Sequence, residues 1–245
     1  MALSSITVTI ENNPYIGGVE IHSAANVTEL GNINKLVILR KAGDATKWNT
    51  VVSIDVSAAS DLTFSKTDIL VLAGQKYSYT VDLKNGDTIL ETAEVGEVEC
   101  WFDGLFVGDF EQQYMAGTNF KTDYMTNQSV EYVQTLNSKY PFRVSNGITD
   151  YCTGTSEGLF LELTDDKKSF KPDTYHAYTD KVLDFLRDGG TKILKTHDGH
   201  GWCVTIDSQP SKVYSDYMGM NAISFKWTEI DDFPTGGLAG ERAWQ

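Results

Sequence analysis

The stretch TKILKTHDGHGWCVTID, residues 191–207, predicts two β-strands joined by a tight turn. Apolar and polar residues alternate after the turn residues DGHG at 198–201, as expected of a returning strand. The same stretch holds His197, His200 and Cys203 at three-residue intervals, a spacing that suggests a transition-metal site. The two interpretations differ in function, because the first predicts a structural hairpin and the second a metalloprotein.

Geometry favours the hairpin. Side chains on one face of a strand recur at even intervals, so side chains at three-residue steps across a turn need not converge. No CxxC pair supplies further ligands, and closed zinc sites usually need four. The chain also lacks a GxSxG nucleophile motif and a GxxxxGK[ST] phosphate loop. We therefore expect no metal, no cofactor and no catalytic residues, and we expect the protein not to be an enzyme.

The charge of the chain limits its partners. A formal net charge of −14 over 245 residues disfavours stable binding to nucleic acid or to an anionic membrane surface. No apolar run approaches the ~18 residues that span a bilayer, so we expect no membrane insertion. The start MALSSITVTI lacks the features of a secretory signal, which predicts synthesis in the cytoplasm. The three cysteines are far apart, and we expect reduced, packed thiols.

Residues 1–96 predict an antiparallel β-sandwich domain. Polar residues alternate with apolar or β-branched ones, and Gly, Asn and Asp separate the runs, as at Asn85-Gly86. No helical period of useful length occurs in this part of the sequence. The predicted strands are SITVTI, KLVILRK, WNTVVSIDV, KYSYTVDL and DTILETAEV.

Two segments of this domain resemble fibronectin type III domains. LAGQKYSYTV at 72–81 is similar to the strand in which a leucine and a tyrosine form the tyrosine corner of that fold. LVILRKAGDATKWNTV at 36–51 looks like the C–C′ hairpin of the same fold. The resemblance implies a spacer or adhesion module and no chemistry.

Residues 97–230 predict a second β-rich domain with one packing helix. The helix is expected at 174–188, after Pro172-Asp173 and before Gly189-Gly190, which are typical of helix starts and stops. Its apolar stripe consists of Tyr175, Tyr178, Val182, Phe185 and Leu186. The mostly β fold class thus covers both domains.

Three further segments complete the expectation for this domain. AISFKWTEI at 222–230 alternates as a strand, and FRVS, Asn146-Gly147 and ITDYCTG predict a hairpin that turns at the Asn-Gly pair. Residues 111–135 are rich in Gln, Asn, Thr and Tyr and are expected to be irregular.

The second domain resembles structural proteins of tailed-phage tails, of the distal-tail or baseplate type. The resemblance rests on YPFRVSNGITDYCTGTSEGLFL at 140–161, VLDFLRDGGTKILKTHDGHGWCVTI at 182–206 and ISFKWTEIDD at 223–232, in that order. It implies a virion protein, made in the host cytoplasm, that assembles with copies of itself and with other tail or baseplate proteins. The implied assembly is a ring, with a hexamer as one option.

The resemblance leaves the position in the tail open. Distal tail proteins typically begin with the ring-forming domain, whereas this chain begins with the fibronectin-like module. A ring at the tube end, a collar or adaptor at a tail junction, and a decoration all remain alternatives. Two other classes also remain: a carbohydrate-binding or host-adhesion module using Trp101, Trp202 and Trp227 for stacking, and, third, a cell-wall hydrolase.

Two sets of residues are predicted to matter for assembly. Residues 231–245 predict a flexible C-terminal arm, whose Phe233, Leu238 and Trp244 are expected to pack on a neighbouring subunit. If the protein lines a DNA channel, acids in the polar segments 111–135 and 207–221 are expected to face the lumen and keep the duplex unbound. These acids are Glu111, Asp123, Asp207 and Asp216.

Overall fold

The computed structural model describes residues 6–26, 30–43, 45–136, 138–166, 169–214 and 220–234, with the backbone alone at 146–149 and 172. Antiparallel strands dominate this part of the chain and a single α-helix lies among them, so the mostly β prediction is confirmed. No helix among the described residues is long and apolar enough to cross a membrane.

The first hundred residues form two antiparallel sheets. Their strands are β1 (Ile6–Asn13), β2 (Gly18–Ala25), β3 (Lys35–Ala42), β4 (Asn49–Asp55), β5 (Phe64–Asp68), β6 (Lys76–Asn85) and β7 (Thr88–Glu99). The sheet orders are β1-β2-β5 and β4-β3-β6-β7. Strands β2 and β5 were not among the predicted ones, and β7 continues past the predicted boundary at residue 96.

The two sheets share one apolar core. Val19 and Ile21 of β2 belong to the same cluster as Leu36 and Ile38 of β3, because alternate side chains of each strand point toward the other sheet. The predicted turn at Asn85-Gly86 joins β6 to β7, with Gly86 at the positive φ of +58° that a tight hairpin requires.

Six of the remaining strands form a closed barrel. The remaining elements are β8 (Leu105–Gly108), β9 (Gln113–Val133), β10 (Phe142–Phe160), β11 (Glu162–Leu163), β12 (Phe170–Lys171), α1 (Tyr175–Arg187), β13 (Lys192–Thr196), β14 (Gly201–Ile206), β15 (Ser211–Tyr214) and β16 (Asn221–Asp231). The pairing order is β10-β9-β8-β13-β14-β16, and β16 pairs back onto β10. The six strands therefore close on themselves, and closure removes most exposed edges.

Small residues on β10 make room for large ones inside the barrel. Gly154, Ser156 and Gly158 pair with Trp227, Phe225 and Ile223 of β16. A Cβ atom added to Gly154 would lie 2.6 Å from the Trp227 ring, and the Ser156 hydroxyl accepts a 3.0 Å hydrogen bond from the Trp227 indole nitrogen. The apolar face of α1 completes this core through Val182, Leu183, Phe185 and Leu186.

The predicted helix is confirmed. It was expected at 174–188 and is observed as Tyr175–Arg187, and Gly189 follows with φ +78°, a conformation that glycine adopts without strain. The predicted strand at 222–230 is confirmed as β16.

Two expectations about the β9–β10 region are wrong. Residues 113–133, expected to be irregular, form a 21-residue strand. The turn expected at Asn146-Gly147 lies inside β10, where Asn146 pairs with Ser129 but Asp150 already pairs with Gln128. The Asn-Gly pair therefore belongs to a bulge that adds residues to one strand, and the chain reverses instead between Val133 and Phe142.

Candidate assembly surface

The outer part of the β9–β10 hairpin is an exposed feature of the described chain. Strand β16 pairs with β10 only at 153–158, so 126–152 continue as a ribbon of two strands, and none of the other described strands pairs with it. We name residues 126–152 the outer hairpin. At ~3.3 Å per residue, its eight-residue strand from Thr126 to Val133 extends about 25 Å from the barrel.

The outer hairpin leaves the barrel at a defined point. The Glu229 carboxylate of β16 accepts a 2.7 Å hydrogen bond from the Cys152 amide, one residue beyond the last β10–β16 pair. The side chain of Glu229 thus occupies the place that a backbone carbonyl would take in a continuing ladder, and it ends the pairing with β16.

Large apolar side chains concentrate on this ribbon. Leu136 at the tip is 98% exposed and Phe142 is 60% exposed. Their exposed neighbours in the outer hairpin are Tyr132, Val133, Tyr140, Val144 and Tyr151. An isolated two-stranded ribbon is marginally stable in water, and contiguous exposed apolar groups mark interaction surfaces.

The tip differs from the rest of the chain in charge. Residues 134–145 contain Lys139 and Arg143 and no Asp or Glu, whereas the whole chain has a net charge of −14. The Lys139 ammonium lies 5.2 Å from the centre of the Tyr140 ring. The surface is therefore apolar and basic on an otherwise acidic protein.

Aromatic rings support the root of the hairpin. Tyr124 of β9 packs on Trp202, whose ring centre is 4.9 Å away, and its hydroxyl is 3.2 Å from His200 Nε2. Trp202 in turn lies 5.0 Å from Trp227 inside the barrel. This cluster connects the base of the projecting ribbon to the buried core, so the ribbon has a fixed origin.

The turn predicted at 198–201 is confirmed as the connection between β13 and β14, which is observed at 197–200. Its histidines lie against aromatic rings, since His197 meets the edge of Phe120 and His200 stacks on Trp202. Cys203 is fully buried on β14. Within the described ranges, no group of three or more His, Cys, Asp or Glu is arranged to hold a metal ion.

The acids predicted to face a channel lie on separate elements. Glu111 is exposed in the β8–β9 turn and Asp123 is exposed near the middle of β9, so the two are not neighbours. Asp207 is exposed just after β14 and accepts a 2.6 Å hydrogen bond from the Thr228 hydroxyl. Asp216 lies outside the described residues. Whether these acids line a lumen stays a prediction.

The residues predicted to meet a neighbouring subunit are only partly described. Phe233 is half-buried, and its ring packs against Gly201 of its own chain, where an added Cβ would be 2.6 Å from Phe233 Cδ2. Leu238 and Trp244 lie outside the described residues, as does the C-terminal arm from residue 235 onward. Their role in assembly stays a prediction.

A buried lysine joins the barrel to the sandwich. Lys195 of β13 is 1% exposed, and its ammonium donates 2.6 Å hydrogen bonds to the carbonyls of Gly17 and Ile69. The rings of Phe102 and Phe106 lie 5.2 and 5.5 Å from it. Burial lowers the pKa of Lys195 to about 7, although Cys100 and Asp68 favour the charged form.

An ion pair inside the sandwich lies close to this junction. Arg40 Nη1 is 2.7 Å from both carboxylate oxygens of Asp68 and also donates to the Leu70 carbonyl. The Tyr79 hydroxyl donates to Asp68 at 2.8 Å, and burial together with Asp68 raises the pKa of Tyr79 well above its ordinary value. Both oxygens of the Asp68 carboxylate have hydrogen-bond donors, so we interpret this cluster as part of the packing of the sandwich and not as a reactive site.

Sequence reasoning missed the outer hairpin as a surface. SVEYVQTL at 129–136 alternates polar and apolar residues, and the basic and aromatic KYPFR follows at 139–143. This alternation together with the locally positive charge was the available signal, but the Gln- and Asn-rich flank obscured it.

Comparisons with known proteins are sparse. No family model matches the chain, and no curated protein matches it. Among solved structures, a chain from one described as the virion of a native gene transfer agent (GTA) particle is similar to it at 15% identity. The similarity covers 52% of this chain and 92% of that one, with a TM-score of 0.32. At that level the likeness carries no argument about function.

Proposed function

We propose that this protein is a non-enzymatic structural protein of a phage tail, present in the virion in several copies. The observation that carries the proposal is the outer hairpin, an exposed apolar ribbon with a basic tip that projects from a closed barrel. Removing a large apolar side chain from water is worth about 1.5–3 kcal/mol. A tip with several such side chains therefore gains stability from contact with a partner.

The positions of the tail-like segments support the proposal. Residues 140–161 include all of β10, 182–206 run from α1 through β14, and 223–232 cover most of β16. These are the elements that close the barrel and fill its core. The resemblance therefore falls on the parts of the chain that build the domain and give the hairpin its base.

The N-terminal module has a separate role in the proposal. Its sheet orders β1-β2-β5 and β4-β3-β6-β7 are those expected of a fibronectin type III-like sandwich, and the Tyr77 hydroxyl accepts a 2.9 Å hydrogen bond from the Leu72 amide. We assign residues 1–96 to this spacer module, 97–230 to the tail-type domain and 231–245 to the C-terminal arm. The partners are copies of this chain, arranged in a ring, and adjacent tail or baseplate proteins.

The experiment is localisation in particles from the strain that encodes the chain. Particles are induced, banded on a density gradient and labelled with gold-conjugated antibody against this protein. We expect the protein to band with DNA-filled particles and the label to mark the tail or its junctions. Protein that stays in the soluble fraction of the lysate would overturn the proposal.

The carbohydrate-binding alternative retains one candidate residue. Trp202 and Trp227 are buried and therefore cannot stack on a sugar, whereas Trp101 is 59% exposed between β7 and β8. Glycan-array binding that is lost in Trp101→Ala would favour this alternative, and clearing of host cell walls by the purified protein would favour a hydrolase.

A further inference from the structure

We propose that the outer hairpin of one copy pairs with the free edge of β7 in a second copy, so that the β4-β3-β6-β7 sheet continues into the neighbour. This inference rests on the proposed assembly of several copies and names the surfaces that meet. Strand β10 contributes the hairpin edge, from Phe142 to Tyr151.

Both edges are available in the described structure. Strand β7 pairs with β6 on one side and is the last strand of its sheet; β1 of the facing sheet lies close to it, but among the described residues no strand pairs with its outer side. In the described part of the chain the β10 edge likewise has no second partner between Phe142 and Tyr151, because β16 joins only at Thr153, and the bulge between Asn146 and Asp150 divides this edge into two short stretches. Extended backbone with unpaired N–H and C=O groups is a template for a further strand.

The β7 edge and the hairpin tip are opposite in charge. Strand β7 carries Glu91, Glu94, Glu97 and Glu99 and no basic residue. Three of these acids, Glu94, Glu97 and Glu99, are exposed. The hairpin segment 134–145 carries Lys139 and Arg143 and no acid. Bringing the tip to β7 places Lys139 and Arg143 near these glutamates, whereas Asp150, the one acid of the β10 edge, lies at the end of that edge away from the tip.

The edges also match in apolar character. Ile89 and Leu90 at the start of β7 are exposed, as are Phe142 and Val144 on β10. Pairing would bury these side chains against one another and cover the most hydrophobic part of both surfaces. A membrane fits less well, since the β7 edge and the chain as a whole are acidic.

Charge also excludes the symmetric alternatives. Two β7 edges would set eight glutamates in close proximity, and two hairpin tips would oppose two basic pairs. The favoured contact is therefore between unlike surfaces of the two copies, head to tail. Head-to-tail contacts generate rings when the rotation closes, which agrees with the proposed ring.

The test is charge reversal on each edge of the full-length protein. The variants K139E/R143E and E94K/E97K are each expected to weaken self-association by about a hundredfold or more, as measured by sedimentation velocity, because like charges then face each other. The four substitutions in one chain restore opposite signs, and association should return. The controls K47E/K66E and D55K/D184K change the net charge equally at exposed sites elsewhere.

Mixing the two double variants gives a second readout. Two cross contacts are then complementary: the acidic hairpin of the first variant with the basic edge of the second, and the unchanged hairpin of the second with the unchanged edge of the first. The mixture should therefore associate in alternating order although each variant alone does not. Hydrogen exchange on the wild type should show residues 88–99 and 142–151 becoming protected together as concentration rises.

Three results would overturn the inference: wild-type protein that stays monomeric at every concentration, a hairpin variant that associates as tightly as wild type, or a fourfold variant that does not recover. Protein found in purified virions while the variants associate normally would refute this contact and leave the proposed function standing. Protein absent from virions, when the fourfold variant still recovers association, would refute the proposed function and leave this contact standing.

Discussion

Lys195 is the residue on which the contact between barrel and sandwich depends most directly. Its ammonium is held by the carbonyls of Gly17 and Ile69, which belong to two different connections of the sandwich, while its backbone belongs to β13 of the barrel. Burying a lone cation is unfavourable, and the depressed pKa records that penalty. The stability of this junction should therefore depend on pH.

Lys195→Met removes the titrating amine and keeps an unbranched side chain. The pKa of Lys195 is lowered from 10.5 to about 7 in the folded protein, so between these values the unfolded chain binds the extra proton. The contribution of Lys195 to stability therefore rises with pH across this window. From about pH 7.5 to about pH 9.5, we expect wild type to gain roughly 2 kcal/mol over the variant in the free energy of unfolding, measured in urea.

Lys66→Met is the matched control, because Lys66 is exposed on β5 and loses the same charge. The difference between wild type and this control should stay constant over the same range. A constant difference for Lys195→Met as well would contradict the burial of the amine.

Tyr77→Phe tests a single hydrogen bond of the sandwich. The Tyr77 hydroxyl accepts from the buried Leu72 amide, and without it that amide has lost its partner. We expect a loss of about 1–3 kcal/mol in the free energy of unfolding, as is usual for an unsatisfied buried donor. Tyr15→Phe, at an exposed position, should change stability by less than about 0.5 kcal/mol, and equal effects of the two would contradict this role.

At the scale of elements, strand β10 has two different environments along its length. Its inner part, 153–158, pairs with β9 and β16 and faces the barrel core with small residues. Its outer part pairs with β9 alone and carries exposed aromatic and basic residues. The bulge between Asn146 and Asp150 lies in the outer part, where the extra residues meet no third strand.

Gly154→Ala tests the fit of β10 against Trp227. The new methyl group would lie 2.6 Å from the indole and 2.5 Å from the Asp123 carbonyl, so either the ring or the backbone must move. We expect a loss of about 1–3 kcal/mol in the free energy of unfolding and a shift in tryptophan fluorescence. Thr155→Val, one position along the same strand, adds no bulk and should leave the fluorescence unchanged.

At the scale of the whole molecule, the outer hairpin and the body are separable in their contacts. The two sandwich sheets share one core and the barrel has another, whereas residues 128–150 pair only with one another. Stability and assembly should therefore depend on different parts of the chain.

Replacing residues 128–150 by Asn-Gly joins Asn127 to Tyr151, a pair already opposite in the ladder, through a turn that suits a two-residue hairpin. We expect the thermal midpoint of the body to change little, because no body contact is removed. Self-association, followed by mass photometry, should be lost. A shortened chain that fails to fold, or one that assembles as wild type does, would contradict the separation.

The sequence predicted what depends on local pattern. The helix at 174–188, the hairpin at 191–207 and strand β16 follow from amphipathic period, turn residues and alternation, and each is confirmed. The Asn146-Gly147 turn failed because Asn-Gly also suits a bulge, and only the partner strand decides between the two. Closure of β16 on β10 and the burial of Lys195 depend on residues far apart in the chain, which no local window contains.

The closed barrel also fixes an order of events in time. Leu105 on β8 pairs with Thr196 on β13, and Gly158 on β10 pairs with Ile223 on β16, so the ring of strands is complete only when nearly the whole chain is present. Pairings between distant segments form slowly, because the entropy of closing a long loop must be overcome first. The β9–β10 hairpin, by contrast, is local and can form as soon as residue 160 has left the ribosome. During synthesis its apolar tip is therefore presented before the barrel that carries it exists, and nascent chains on neighbouring ribosomes should need protection from premature association until β16 has closed the barrel.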